Sequence, residues 1–263
     1  MSQRLIQHIT HQLNQGKKLF SVYITAGFPE KSATLPILQA LDAAGVDFVE
    51  LGIPFSDPIA DGPTIQAAAN QAIENGVTLE WILEAVQQFR QQSDMPIILM
   101  GYLNPVIQYG MERFSKACRQ SGVDGVILPD FPWEEAQQFQ PYFSQANLDN
   151  IYLIAPNTPE DRIQLLARAT TAFLYCTAYT GTTGADHQLD DHSIRFFNHL
   201  KQTLSVPYII GFGIKNARQV QYYQSLADGV VVGSAFIQAV SHTTRKDIPH
   251  VVTAFVNSLR PTR

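Results

Sequence analysis

Basic charge and long apolar runs are both scarce in this sequence of 263 residues. Lys and Arg total 18 against 23 Asp and Glu, and the resulting net charge of −5 argues against a basic nucleic-acid surface. No apolar run approaches the ~20 residues of a transmembrane helix. The first twenty residues alternate polar and apolar as an amphipathic helix does, without the continuous apolar core of a secretory signal. We therefore expect a cytoplasmic protein that binds neither nucleic acid nor membrane.

Cysteine and clustered histidine are also lacking. The two cysteines, Cys118 and Cys176, lie far apart with no motif around either, which argues against a disulfide scaffold and predicts reduced thiols. The seven histidines are scattered and form no Cys/His cluster. We therefore expect no metal site.

Short apolar runs that alternate with helical patterns dominate the rest of the chain. The strands are predicted at 19–26, 47–53, 96–102, 125–129, 151–155, 172–178, 207–212 and 229–233. Helices are predicted at 34–44, 79–92, 111–121, 133–145, 159–169, 192–204 and 217–226. This alternation predicts an α/β fold, a closed (β/α)₈ barrel forming one domain over residues 1–263. An extra amino-terminal helix and long loops after strands two and six are expected, and an open doubly wound sheet is the structural alternative.

Two carboxylates flank the first of these long loops. Glu50 lies in mid-strand between Val49 and Leu51, where an unpaired charge is costly to bury. Asp61 closes the loop eleven positions later, just before a helix. The pair suits acid/base chemistry on a small molecule. As alternatives, Glu50 is a paired structural carboxylate and Asp61 is only a helix N-cap.

Glycines at strand ends predict a phosphate site. The loop over 180–186 is small, glycine-rich and hydroxyl-bearing, and it suits a mobile flap. Gly211 and Gly213 flank the end of the seventh strand, and Gly233 with Ser234 end the eighth just before a helix. Barrels of this kind often bind phosphate through backbone amides there. The residues predicted to enclose an organic ring near the same rim are Tyr23, Tyr102, Leu128, Tyr175 and Phe212.

Several motifs together resemble one enzyme family. ELGIPFSDPIADGPTIQ at 50–66 is similar to the signature of the tryptophan synthase α subunit. The motifs ITAGFP, MGYLNP, GVILPDFPWEE, TGTTGA, GFGI and VVGSAF occur in the expected order, so the resemblance covers about 19–235. It implies a (β/α)₈ barrel that cleaves indole-3-glycerol phosphate to indole and glyceraldehyde 3-phosphate. The α subunit would need no cofactor of its own, whereas the β subunit of an α₂β₂ complex would carry pyridoxal phosphate and make tryptophan.

Carried over residue by residue, the resemblance also implies roles. Glu50 would be the general acid/base, Asp61 would accept a hydrogen bond from the indole N–H, and Thr183 would orient Asp61. The phosphate would be held by backbone amides of Gly184, Gly213, Gly233 and Ser234. The positions matching the segments that meet the β subunit are Pro54, Asp57, Pro58, Asn104, Pro105 and Asp130.

Three positions depart from the family pattern, and three alternatives stay open. Ala178 and Thr182 stand where many relatives have Ser and Val, and Trp133 stands where a proline is common. The same catalytic residues would serve a free-standing lyase that works without a β subunit. A catalytically idle paralogue that only regulates a β chain is the second alternative, and a different phosphate-binding barrel, such as an isomerase, is the third.

Overall fold

A parallel sheet of nine strands forms the centre of the molecule. The computed structural model describes residues 3–177, 191–211 and 213–260. Its strands are β1 (Leu19–Thr25), β2 (Phe48–Gly52), β3 (Ile97–Met100), β4 (Gly125–Ile127), β5 (Asp149–Ile151), β6 (Leu153–Ile154), β7 (Leu174–Thr177), β8 (Tyr208–Gly211) and β9 (Gly229–Val232). All paired strands are parallel and almost every strand residue is buried, as expected for a sheet covered on both faces.

Helices follow the strands around the outside. They are α1 (Gln3–Asn14), α2 (Thr34–Ala43), α3 (Pro63–Glu74), α4 (Leu79–Arg90), α5 (Leu103–Tyr109), α6 (Met111–Ser121), α7 (Trp133–Ala136), α8 (Gln140–Ala146), α9 (Glu160–Ala169), α10 (Asp191–Thr203), α11 (Ala217–Leu226), α12 (Ser234–Val240) and α13 (Ile248–Leu259). The extra amino-terminal helix is confirmed as α1. No helix in the described ranges is long and apolar enough to cross a bilayer.

The sheet closes on itself. Its order is β5-β4-β3-β2-β1-β9-β8-β7-β6, and the two end strands are separated in the chain only by Tyr152. The carbonyl of Tyr152 accepts a hydrogen bond of 2.9 Å from the amide of Tyr175, so the wall continues across the break. The predicted (β/α)₈ barrel is confirmed, with its fifth strand split in two.

The connection after the second strand consists of a loop followed by two helices. Residues 54–95 contain α3 and α4, in agreement with the helix expected just after Asp61 and the helix predicted at 79–92, and the loop itself runs from 53 to 62. The predicted helix at 133–145 is divided into α7, a 3-10 turn (Gln137–Phe139) and α8. Pro141 at the start of α8 lacks the amide proton that a continuous helix would use there. The long loop predicted after strand six lies outside the described residues.

One aspartate motif recurs at the amino ends of the strands. Asp47, Asp124 and Asp228 each precede a strand directly, and each donates its amide to a carbonyl on the neighbouring strand. The carboxylate of each accepts the amide of that same neighbouring residue, at 2.8, 2.9 and 3.1 Å. Each aspartate therefore fixes the register between two strands through two hydrogen bonds.

Helix α1 packs at this same end of the barrel. Leu5 and Ile9 are buried, Arg4 contacts Asp124 at 2.9 Å, and His8 contacts Asp47 at 3.0 Å. The amino ends of the strands are thereby joined to α1. The carboxyl ends carry the pocket described next.

Candidate active site

Glu50 is a fully buried carboxyl group at the floor of a pocket. It lies in the middle of β2, paired in register with Tyr23 of β1 and Ile98 of β3. Its exposure is 0 %, and neither carboxyl oxygen has a hydrogen-bond partner among the described residues. Burial raises the pKa of Glu50 to about 8. Glu50 is therefore not a paired structural carboxylate within the described chain, and it is largely protonated at neutral pH.

Asp61 occupies the end of the loop that follows β2. Gly62, and not Asp61, is the residue that caps α3, and the Asp61 carboxylate instead accepts a hydrogen bond of 3.0 Å from the Tyr102 hydroxyl. Asp61 is only 9 % exposed. Burial raises its pKa, and the Tyr102 hydrogen bond opposes that rise because it stabilises the charged form. The two carboxyl groups thus differ, one unpaired and one hydrogen-bonded.

A single pocket brings these two groups together at the carboxyl ends of the strands. Its lining residues are Tyr23, Glu50, Asp61, Ile65, Met100, Tyr175, Gly213, Val231, Gly233 and Ser234. Seven of these were predicted from the sequence; Ile65, Met100 and Val231 were not. An apolar residue in a strand or helix gives no sequence signal that separates a pocket wall from core.

Tyr23 and Tyr175 each lie against a glycine of the next strand. A side chain at Gly52 would place its Cβ 2.2 Å from the Tyr23 hydroxyl oxygen, and one at Gly211 would place it 1.8 Å from the Tyr175 hydroxyl oxygen. Burial raises the pKa of both phenols, and the charges of Asp61 and Glu50 raise it further. Both tyrosines therefore stay neutral, and both line the pocket.

The opposite side of the pocket is built from backbone. Gly213 has a φ of +77°, a conformation that favours glycine, and Gly233 with Ser234 forms the start of α12. The amides at the beginning of a helix have no partner within that helix. This side of the pocket can therefore donate hydrogen bonds to an anion.

Tyr102 and Leu128 do not line this pocket. Tyr102 is the residue before α5, and its hydroxyl lies between the amide of Ala60 and the carboxylate of Asp61. Leu128 is buried in the core after β4. Thr183, Gly184 and Phe212 fall outside the described residues, as do Ala178 and Thr182.

The residues predicted to meet a partner lie on neighbouring segments of the rim. Asp57 and Asn104 are exposed, whereas Pro54, Pro58, Pro105 and Asp130 are half-buried. The Asp130 carboxylate accepts the amide of Leu103 at 2.9 and 3.1 Å, which joins the loop after β4 to the start of α5.

Two exposed apolar side chains lie on these segments, and the sequence prediction named neither of them individually. Ile59 is 73 % exposed and Ile107 is 52 % exposed, the two most exposed large apolar residues in the described chain. Their exposure depends on the local fold and has no sequence signature.

Among the described residues, no group of three or more His, Cys, Asp or Glu side chains could hold a metal ion. A protonated carboxyl, a second carboxylate and a set of backbone amides can support proton transfer beside a cationic ring while holding an anion.

Comparisons with known proteins show which family the chain resembles. The sequence model of the family described as "Tryptophan synthase alpha chain" matches residues 9–260. The tryptophan synthase alpha chain of Flavobacterium psychrophilum is 37 % identical over 94 % of this chain and 99 % of its own. The crystal structure of tryptophan synthase subunit alpha from Legionella pneumophila has a TM-score of 0.89 at 34 % identity, covering 98 % and 97 % of the two chains.

A third match is a structure of the tryptophan synthase α₂β₂ complex from Pyrococcus furiosus. Its matched chain has a TM-score of 0.84 at 36 % identity and covers 92 % of this chain and 97 % of its own. Since the family model spans nearly the whole sequence and relatives above 30 % identity match along it, the chain belongs to the tryptophan synthase alpha chain family.

Proposed function

We propose that this chain cleaves indole-3-glycerol phosphate to indole and glyceraldehyde 3-phosphate. The observation that carries the proposal is Glu50, a buried carboxyl group without a partner in the described chain, on the floor of the pocket. Burial keeps it protonated near neutral pH, which is the state a proton donor requires. The chain acts as a lyase and as a single barrel domain.

Glu50 transfers one proton and takes back another. Its carboxyl group protonates C3 of the indole ring, and the ring becomes a cationic indolenine. The resulting carboxylate then accepts the proton of the glycerol hydroxyl beside the scissile bond. As that C–C bond breaks, its electron pair returns to the ring, the hydroxyl carbon becomes an aldehyde, and Glu50 is protonated again.

Asp61 stabilises the charge that appears between these steps. Its carboxylate accepts a hydrogen bond from the ring N–H, and its negative charge lowers the energy of the cationic intermediate. Thr183, which lies outside the described residues, orients Asp61. The phosphate binds the backbone amides of Gly213, Gly233 and Ser234, together with Gly184.

The ring of the substrate is enclosed by the aromatic and apolar wall. Tyr23, Tyr175 and Met100 supply that wall within the described chain. Phe212, which lies outside the described residues, is proposed to complete it, and Tyr102 borders it through Asp61.

The indole passes to a β subunit in an α₂β₂ complex, as the resemblance implies. The Pyrococcus furiosus relative has been studied as such a complex, with mutual activation of its parts. Pro54, Asp57, Pro58, Asn104, Pro105 and Asp130 form the contact surface, and Ile59 and Ile107 supply exposed apolar area within it. The α chain needs no cofactor, since pyridoxal phosphate is carried by the β subunit. We place both subunits in the cytoplasm.

Indole release from indole-3-glycerol phosphate tests the proposal, with the chain alone and with a β subunit added. Strong activation by the β subunit is the expected result. Fast release that the β subunit leaves unchanged would indicate a free-standing lyase. No release in either case would indicate the idle paralogue and would contradict the proposal.

A further inference from the structure

The hydroxyl of Tyr102 accepts one hydrogen bond from the loop that carries Asp61 and donates one to it. It accepts the backbone amide of Ala60 at 3.1 Å and lies 3.0 Å from Oδ2 of Asp61. An amide N–H can only donate, and a phenol carries a single proton. The Tyr102 proton is therefore directed at the Asp61 carboxylate.

The position of that hydroxyl is fixed by contacts on both sides of Tyr102. Its ring packs against Phe55, with ring centroids 5.4 Å apart. The amide of the next residue, Leu103, is held by both carboxylate oxygens of Asp130. The side chain is buried, so few alternative rotamers are open to it.

We propose that Tyr102 is a positioning residue, whose hydroxyl holds the Asp61 carboxylate in place and ties it to the backbone at Ala60. The inference rests on the proposed function, because it assigns Tyr102 a task at the same site. It also separates Tyr102 from the ring wall, since Tyr102 does not line the pocket and acts through Asp61.

The hydrogen bond has a second consequence for the charge of Asp61. Burial raises the pKa of this carboxyl, and donation by Tyr102 lowers it. The other titratable groups around it in the described chain are Glu50, Tyr23 and Tyr175, and Asp130 acts on Tyr102. Without the Tyr102 hydroxyl the Asp61 pKa rises further, so Asp61 loses its charge at a higher pH.

Tyr102→Phe tests the proposal, because it removes the hydroxyl and keeps the ring that packs on Phe55. In the full chain with saturating β subunit, we expect kcat to fall roughly 10- to 100-fold, the range for losing a hydrogen bond to a charged group. We expect KM to change by less than about threefold. The acid limb of the kcat profile should move to higher pH, so the defect shrinks as pH rises.

Tyr208→Phe is the matched control. The single proton of the Tyr208 hydroxyl is shared between the carbonyls of Phe197 and Leu226, away from the pocket, so this variant also removes the hydrogen bonding of a buried tyrosine. It should lower stability and leave both kcat and the pH profile of the wild type unchanged. A purely structural role of Tyr102 would make the two variants alike.

A second variant keeps the test open if Tyr102→Phe folds poorly. Fluorinated tyrosine incorporated at position 102 keeps the shape of the side chain and makes its hydroxyl a stronger donor. The acid limb should then move to lower pH, opposite to the Tyr102→Phe shift.

The outcomes separate the two proposals. If the wild-type chain releases no indole, the proposed function fails. If the wild type is active and neither Tyr102 variant shifts the acid limb, only the role of Tyr102 is overturned.

Discussion

The buried carboxyl group of Glu50 lowers the stability of the folded chain. A carboxyl group buried without a hydrogen-bond partner destabilises a folded protein, and the cost grows when the group is ionised. The raised pKa of Glu50 expresses that cost. A side chain selected for stability alone would be apolar at this position, so the carboxyl group is best explained by chemistry.

Glu50→Gln should therefore stabilise the protein in a pH-dependent way. The unfolded chain loses the Glu50 proton near its ordinary pKa of 4.5, and the folded chain only near 8. Between these values the folded state binds more protons, so wild-type stability relative to Glu50→Gln falls as pH rises and levels off above about 8. At about 1.4 kcal/mol per pKa unit, the full difference amounts to several kcal/mol.

Urea unfolding of both proteins from pH 4 to 9 measures this difference. Aspartates and other groups common to both proteins cancel in the comparison. A difference that did not change with pH would contradict the assignment of a raised pKa to Glu50.

The sequence indicated candidate carboxylates, but it did not indicate the direction in which each side chain points. Glu50 and Asp61 could be selected because a carboxylate in a buried strand and another in a glycine-rich loop are unusual. Tyr102 was assigned to the ring wall, but the orientation of its hydroxyl depends on how α5 meets the loop at Ala60. No local pattern encodes that contact between segments about 40 positions apart.

At the scale of elements, the close approach of β1 and β2 around the pocket depends on Gly52. The Tyr23 ring crosses over this glycine, and a Cβ there would lie within 2.9 Å of three of its atoms. Gly52→Ala should displace the ring, with a stability loss of about 1–3 kcal/mol and reduced indole release.

Tyr23→Ala should relieve that overlap. The double variant Gly52→Ala/Tyr23→Ala should therefore be more stable than the sum of the two single changes predicts, which thermal unfolding of all four proteins measures. Simple additivity would show that Gly52 and Tyr23 are not coupled.

The aspartate motif holds neighbouring strands together at the other end of the barrel. Asp124 accepts hydrogen bonds from Arg4, Arg90 and the amide of Ile97. Asp124→Asn leaves the buried Arg90 guanidinium without its charge partner, so we expect a loss of about 3–5 kcal/mol. Guanidinium unfolding measures the loss.

Glu112→Gln provides the control for Asp124→Asn. Glu112 pairs with Lys116 on an exposed helix face, where solvent screens such a pair and it contributes little to stability. Because Asp124 lies at the end of the barrel opposite the pocket, indole release per folded molecule should be unchanged in Asp124→Asn. Equal stability losses in the two variants would contradict the structural role of Asp124.

Element boundaries were predictable where apolar runs are bounded by Gly, Pro or Asp. Helices α6 and α11 match the predicted bounds, whereas α5 and α13 were not among the predicted helices. α5 is short and carries Pro105 in its first turn, and α13 is rich in β-branched residues of lower helix propensity, although its buried residues Ile248, Val252 and Val256 recur at helical spacing. The division of the fifth strand at Tyr152 depends on strand pairing, since β5 pairs with β4 and β6 pairs with β7.

At the scale of the whole molecule, the two ends of the barrel have different tasks. Buried ion pairs and α1 fix the amino ends of the strands, and the pocket with its two carboxyl groups occupies the carboxyl ends. The exposed apolar residues Ile59 and Ile107 lie on the segments joined to Asp61 through Tyr102. A partner bound there would contact the loop that carries Asp61.

Indole release by the wild type and by Glu50→Gln, each with saturating β subunit, tests the central claim most directly. The account predicts release by the wild type and none above background by Glu50→Gln, which should still fold and bind the β subunit. Release by Glu50→Gln at the wild-type rate would contradict the assignment of the proton transfer to Glu50.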